Sequence, residues 1–386
     1  MKTIAHIVCG QTKVGAISSV KRIIRNYSFD DTKLILISYG APATVPGYPH
    51  PEDVYFLNLK NTEYYEKYFA QKWNLVYLFL TVFSFFTDIF KLSAFCRKQN
   101  VSIIHVHHYI DAFHYCILSL FGFKFVTHIR GVLNRKLFLG IPFVLYRFFI
   151  YRFSDAVVGI SKASLSVLGK ENNPKNVIIY NGLEGKGASP NEELQKEVEG
   201  SFVVASVIRF KKGKGIFFLA ETVVEFFRKH PSENLKFLLI APIQNDEEKV
   251  CRNQFLQILK DHGVYDRFLY FDYFPDYTYF MPYIDLLFHP TLEREGFGNV
   301  VLEANWFGKP VVSTPCLGVN DIIEQRVSGY ILSSTDVQEA VDCIYRVYAD
   351  KDLYASLSDR SYAIAHLPKF SIAESMRSLH TLYTSI

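Results

Sequence analysis

Residues 289–312 hold the side chains best placed to do chemistry: Glu295 and Glu303 stand eight positions apart across a Gly296-Phe297-Gly298 turn. The two glycines let the backbone bend sharply and come close to a ligand, and the first N–H groups of a following helix can receive a diphosphate. Gly308 sits where a helix C′ residue belongs and Pro310 blocks continuation, so the spacing predicts a helix over 299–307. Glu295 then lies in the loop at the mouth of the site and Glu303 in the second turn of the helix. Acceptor-only carboxylates at those two heights suit two sets of vicinal hydroxyls, one on a hexose and one on a ribose. The plainer reading makes Glu303 an exposed helix residue and Glu295 a partner for the helix dipole. The flanks weigh against it. Residues 285–289 read as a buried strand and 310–313 as another, which puts the loop at the carboxyl end of a parallel sheet, where open α/β folds bind ligands.

A second candidate follows the predicted strand 202–208, where Arg209, Lys211, Lys212 and Lys214 surround Gly213 and Gly215 before a helix that starts near 216. Arg209 and Lys214, five apart around a glycine turn, can clamp the two charges of a diphosphate without a metal. Solvated turn lysines are the alternative. The order of strand, basic glycine turn and helix is the one a phosphate site requires, and it favours the clamp.

Short β-rich runs alternate with helical stretches along the whole chain: 3–9, 33–38, 102–107, 124–129, 155–160 and 176–180, then 202–208, 236–241, 267–271, 285–289 and 309–313. Such alternation predicts two parallel sheets built from βαβ units. With 386 residues the chain is long enough for two domains. The expected boundaries are 1–183, a linker over 184–200 rich in Gly, Lys, Pro, Asn and Glu, 201–369, and a last helix over 370–386 whose apolar face needs another surface to cover it.

The combination of Arg209-x4-Lys214-Gly215, Glu295-Gly296-Phe297-Gly298 and Glu295-x7-Glu303 resembles the family-4 retaining glycosyltransferases of the GT-B fold. The resemblance extends to the glycine-containing loop 10–16, to 154–161 and to Tyr180-Asn181-Gly182. It implies two Rossmann-like domains with a cleft between them and a C-terminal helix crossing back to the first. It also implies that Arg209 and Lys214 bind the donor diphosphate, Glu295 the hexose, and Glu303 the ribose. Gly296, Phe297, Gly298 and Asn299 would line the donor, with backbone N–H groups of the last three reaching sugar and phosphate. Gly15 would approach the diphosphate from the first domain. In place of the family's Gly-Gly pair stands Val14-Gly15-Ala16, and Ala241-Pro242-Ile243 replaces its Gly-x-Gly. Either His128 or Arg130 takes the position of the family's histidine near the anomeric carbon. The reaction implied moves a hexose or N-acetylhexosamine from a nucleoside-diphosphate sugar, with no cofactor, to a glycan or polyprenyl-diphosphate-linked acceptor in surface polysaccharide synthesis. A nucleotide-sugar epimerase and a non-catalytic nucleotide-sugar-binding subunit are the rival readings.

His105, His107 and His108 cluster at a strand end, but no further Cys/His/Asp set has ligand spacing, so no metal is expected there. Asp350-Lys351-Asp352 imitates a metal-binding Asp-x-Asp, yet it falls between two helical patterns and reads as a cap. Six scattered cysteines fit a reducing, cytoplasmic setting. Residues 1–185 carry 21 Lys+Arg against 11 Asp+Glu, a basic body that suggests an anionic partner, while no nucleic-acid motif is present. The cations Arg135, Lys136, Arg147 and Arg152, set among aromatics, suggest either peripheral contact with the inner face of the plasma membrane or a core helix in an aromatic-rich chain. The apolar run 75–90 contains Asp88 and is shorter than a membrane span.

Overall fold

Runs of Val, Ile, Leu and Phe that would be too apolar for a one-sided sheet become strands covered on both faces. The structure, a computed structural model, describes residues 1–9, 16–43, 45, 50–70, 75–131, 143–170 and 172–386. Contacts divide the chain into two units: unit 1 comprises Met1–Gly182 and Ile372–Ile386, and unit 2 comprises Leu183–Ser371.

Unit 1 holds β1 (Lys2–Cys9), β2 (Thr32–Tyr39), β3 (Val54–Phe56), β4 (Val101–Val106), β5 (Lys124–Ile129), β6 (Ala156–Gly159) and β7 (Asn176–Ile178). They pair in parallel in the order 3-2-1-4-5-6-7. Side-chain alternation sorts the core into two layers. Ile7, Ile37, Ile104 and Phe125 face the helices Leu75–Lys98, Tyr109–Tyr115 and Phe143–Phe153, through Ile89, Leu92, Tyr115 and Ile150. Ile4, Val8, Ile103 and Val126 face the helices Ala16–Asn26 and Ile372–Ser385, through Ile24, Met376 and Leu379. The last helix, predicted to need a surface, therefore finds it in unit 1.

Unit 2 holds β8 (Phe202–Val207), β9 (Leu235–Ile240), β10 (Phe268–Phe271), β11 (Leu286–His289), β12 (Val311–Ser313) and β13 (Gly329–Ile331). Their parallel order is 10-9-8-11-12-13. Phe226, Phe237, Phe255 and Phe288 fill its core, each contributing about 1.5–3 kcal/mol by burial.

Two expectations change. The segment 184–200 contains the helix Glu192–Val198, capped by the Asn191 side chain and held by buried Leu194 and Val198; two apolar residues four apart are enough for a seven-residue helix and too few to show as a period. The apolar run 75–90 belongs to a 24-residue helix, Leu75–Lys98, whose length no longer argues against spanning a bilayer. Its Asp88 is buried at the start of the helix Asn61–Ala70, accepting from the backbone N–H of Lys60 (2.7 Å) and Asn61 (2.8 Å).

Candidate functional site

Both sheets reverse their strand order beside the first strand, so the carboxyl ends of β8 and β11 form the switch point of unit 2. The basic turn follows β8 and the acidic loop follows β11, so the two sequence candidates meet there. Gly213 O accepts from the backbone N–H of Leu292 (2.9 Å) and Glu293 (2.8 Å), which ties the loops together. Gly215 takes the left-handed φ of +76° at the head of the helix Ile216–Lys229, and a Cβ there would lie 1.8 Å from Pro290 O. No other residue fits this crossing.

Lys214 Nζ lies 3.1 Å from Glu295 Oε2 and 3.6 Å from Glu293 Oε2. Burial works to lower the Lys214 ammonium, but Glu295 and Glu293 outweigh it and hold the group above its usual value. Arg209 turns the other way. Its guanidinium pairs with buried Glu248 in the first turn of the helix Asp246–Asp261, while Glu248 Oε2 accepts from Gln244 N (2.8 Å). The two cations of the expected clamp thus rest on different carboxylates, because the helix after β9 brings an acid that the sequence pattern did not single out.

Gly298, with φ +85°, starts the helix Asn299–Trp306, and Glu303 is half-buried in its second turn as expected. Gly308 is the left-handed residue just past its end. Phe297 is fully enclosed, packing toward Phe370 with ring centroids 6.1 Å apart, so its side chain is a core anchor and its backbone is what the loop can offer. Gly318, in the loop after β12, was not foreseen: a Cβ there would meet Glu295 O at 2.5 Å and Phe297 N at 2.6 Å, so this glycine fixes the path of the acidic loop. His289 at the end of β11 is buried and pushed down to about 4 by burial, against the pull of Glu295, and among the described residues its Nε2 has no hydrogen-bond partner. A wider cavity of about 610 Å³ in unit 2, lined by Phe202, Asn234 and Asp285, opens at the strands' amino ends, away from these groups.

In unit 1, Gly15 and the cations Arg135 and Lys136 lie outside the described residues. His6 in β1, His105 in β4 and His128 in β5 share one sheet face, with His107 and Arg130 just beyond the strand ends. His108 is not part of this group; its Nδ1 lies 3.8 Å from Asp111 Oδ1. The hydrogen-bond chain assigns every ring proton in the group. Arg130 Nε donates to His107 Nδ1 at 3.0 Å, and because a guanidinium can only donate, the neutral His107 ring must carry its proton on Nε2. His107 Nε2 then donates to His6 Nδ1 at 2.8 Å, and His6 Nε2 donates to the Tyr383 hydroxyl at 3.2 Å. Tyr383 donates to His105 Nδ1 at 2.6 Å, and His105 Nε2 donates to His128 Nδ1 at 3.1 Å. The last proton therefore stands on His128 Nε2.

Burial, reinforced by the charge of Arg130, lowers His6 to about 3 and holds His105, His107 and His128 well below the ordinary histidine range, so all four stay neutral. Burial also lowers Arg130, to about 9, which leaves it charged at neutral pH. Ring nitrogens of His6, His105 and His107 lie close enough to hold a cation, but the chain occupies them and a guanidinium sits against His107. Among the described residues His128 Nε2 has no protein acceptor, and His128 lines a recess of about 20 Å³ with Ser19, Arg22 and Asn181, room for one water. Arg130 keeps partial exposure and donates through Nη1 to Asn181 Oδ1 at 3.2 Å. Sequence reasoning missed His6 and Tyr383. The available signal was a polar residue at an inward position of three neighbouring strands.

Asp350 caps the helix Lys351–Ala365, accepting from Leu353 N at 2.9 Å, as its position between helical patterns suggested.

Residues 201–350, which carry the basic turn and the acidic loop, match the family model described as Glycosyl transferases group 1. Unit 2 is a group 1 glycosyl transferase domain. Across more of the chain, there is 26% identity over 289 residues, 70% of this chain and 71% of the relative, to N-acetyl-alpha-D-glucosaminyl L-malate synthase of Bacillus anthracis. Capsular polysaccharide biosynthesis glycosyltransferase CapM of Staphylococcus aureus is 26% identical over 162 residues, 42% of this chain and 40% of that protein. Anabaena Alr3699/HepE in complex with UDP superposes with a TM-score of 0.81 at 18% identity, covering 100% of both chains; its UDP-glucose complex gives 0.78. At that identity the likeness shows the fold, which is the GT-B arrangement of two Rossmann-like units, and group 1 glycosyl transferase is the class to which the site belongs.

Proposed function

We propose that this chain is a retaining hexosyltransferase that takes a hexose or N-acetylhexosamine from a nucleoside-diphosphate sugar, without a metal, and passes it to a glycan or polyprenyl-diphosphate-linked acceptor in surface polysaccharide synthesis. The observation that carries this reading is the meeting of Lys214, Glu295 and the start of the helix Asn299–Trp306 at the switch point of unit 2. A cation, a half-exposed carboxylate and a helix N-terminus together match a diphosphate joined to a polyol. The relatives named for an N-acetylglucosaminyl product and for capsular polysaccharide support the donor and acceptor classes.

In the proposed reaction the bond between the anomeric carbon and the diphosphate oxygen breaks. Lys214, Arg209 and the helix N-terminus stabilise the charge gathering on the leaving group. The acceptor hydroxyl attacks on the face from which the diphosphate leaves, and its proton passes to a diphosphate oxygen. To bind, the diphosphate draws Lys214 from Glu295 and Arg209 from Glu248, so that Glu295 is released toward sugar hydroxyls as the cation moves to phosphate. Of the two candidates in unit 1, Arg130 keeps exposure and His128 is enclosed behind it, which favours Arg130 as the group that meets substrate charge.

The test is incubation with a panel of nucleoside-diphosphate hexoses and N-acetylhexosamines, with donor loss followed by mass spectrometry and the first-formed anomer by NMR. Slow hydrolysis of one donor with retained configuration is expected. Release of an epimerised sugar without acceptor, or binding of every donor with no turnover, would overturn the reading in favour of an epimerase or a binding subunit.

A further inference from the structure

The helix Leu75–Lys98 lays its inner face on the sheet of unit 1 through Ile89, Leu92 and Cys96. On its outer face, Leu75, Val76, Phe79, Val82, Phe83, Phe86 and Phe90 recur at helical spacing and all are exposed, with Phe79 70%, Phe83 60%, Phe86 57% and Phe90 64% accessible. The stripe does not end with the helix. The segment Cys116–Phe121 packs between this helix and Phe143–Phe153, and it exposes Leu120, while Phe143–Phe153 exposes Val144, Leu145 and Phe148. An apolar surface of this extent on a folded unit marks a contact site.

Charge identifies the occupant. Across these three elements the acid is Asp88, which is buried against Lys60 N and Asn61 N, whereas Lys91, Arg97, Lys98 and Arg152 are exposed. A surface of Phe and Leu rimmed by cations, with no exposed carboxylate, fits an anionic bilayer: the rings enter the acyl boundary and the cations meet lipid phosphates. The helix is long and apolar enough to span a membrane, but its inner face is part of the unit's core, so it can lie in the interface and cannot cross it.

We propose that the outward layer formed by Leu75–Lys98, Cys116–Phe121 and Phe143–Phe153 docks unit 1 in the plane of an anionic lipid leaflet. The proposal deepens the lipid-linked acceptor reading and rests on it, since such an acceptor is presented at that plane. It adds the aromatic stripe to the expected cations Arg135, Lys136, Arg147 and Arg152, of which the first two lie outside the described residues and Arg152 is exposed beside the stripe.

The full chain would be floated with vesicles of equal parts phosphatidylglycerol and phosphatidylcholine, and with vesicles of phosphatidylcholine alone. Donor hydrolysis would be measured on the same preparations. Wild type is expected to float with the anionic vesicles, and a triple variant Phe79→Gln, Phe83→Gln, Phe86→Gln to partition at least about tenfold less, with donor hydrolysis and thermal midpoint unchanged because all three rings are exposed. Flotation of the triple variant equal to wild type would overturn the proposal, as would a wild type that floats with neither vesicle. A concentration-dependent dimer in light scattering, abolished by the triple variant in a protein that does not float, would assign the surface to a second copy of the chain instead. Loss of donor hydrolysis with flotation intact would count against the transferase reading and leave the docking surface standing.

Discussion

Glu295 pairs with the Lys214 ammonium and, in the proposed reaction, turns to sugar hydroxyls. Replacing it by Gln keeps the shape and one acceptor oxygen but removes the charge that holds Lys214 and receives sugar hydroxyls. Glu295→Gln is expected to lower transfer at least about 100-fold, roughly 2.7 kcal/mol of barrier, with the thermal midpoint within a degree or two of wild type because the pair is partly exposed and contributes little to folding. Full activity in the variant would remove Glu295 from the site. At this scale the sequence was informative wherever a residue type has few alternatives: Gly215, Gly298 and Gly308 stand at the positive φ values their positions implied. It was uninformative about partners. Nothing in the string announces that Glu248 would claim Arg209, or that Gly318 would press against Glu295 O, since both contacts join loops far apart in the chain.

Strands of four residues or more were legible from apolar runs, the helix Glu192–Val198 was not, and the helix Asn299–Trp306 differs by one residue from its expected end. The strands Val54–Phe56 and Gly329–Ile331 were not foreseen. The histidine chain shows what elements contribute jointly: β1, β4, β5 and the helix Ile372–Ser385 each supply one or two members. Its four histidines are neutral when folded, with His6 lowered to about 3, while in the unfolded chain each takes up a proton below about 6.5. The unfolded state therefore binds more protons as pH falls through that window, and stability drops by about 1.4 kcal/mol per pH unit for each such group. Thermal unfolding is expected to show a lower midpoint at pH 5 than at pH 7. Tyr383→Phe should lower stability at both pH values and release the His105 proton from Nε2, read by long-range proton–nitrogen NMR. An unfolding midpoint that is flat from pH 7 to pH 5 would show that the rings are already charged or exposed.

For the whole molecule the sequence conveyed two α/β halves and a basic first half; it could not convey how the outer faces are dressed, because Leu75–Lys98 reads as core or span until one side of it is seen against a sheet. Charge at the site belongs to this scale too, since Arg209 and Lys214 are drawn from a unit whose acids already neutralise them. If those cations take the role that Mg²⁺ or Mn²⁺ plays in Asp-x-Asp enzymes, transfer should survive excess EDTA. Loss on chelation with recovery on Mn²⁺ would transfer the role to a metal, and Asp350, engaged as a cap, would have to leave its helix to serve. The division of the chain also bears on how the protein is made. Unit 2 is continuous in sequence, whereas unit 1 waits for Ile372–Ile386. Unit 2 can therefore complete its fold from one continuous stretch, whereas unit 1 needs a segment that lies beyond the whole of unit 2. Until Tyr383 leaves the ribosome, His6 and His105 have no hydroxyl between them, and the centre of the first sheet stays open to water. A chain cut after Ser371 is therefore expected to keep unit 2 folded and to leave unit 1 unable to cover one face of its sheet.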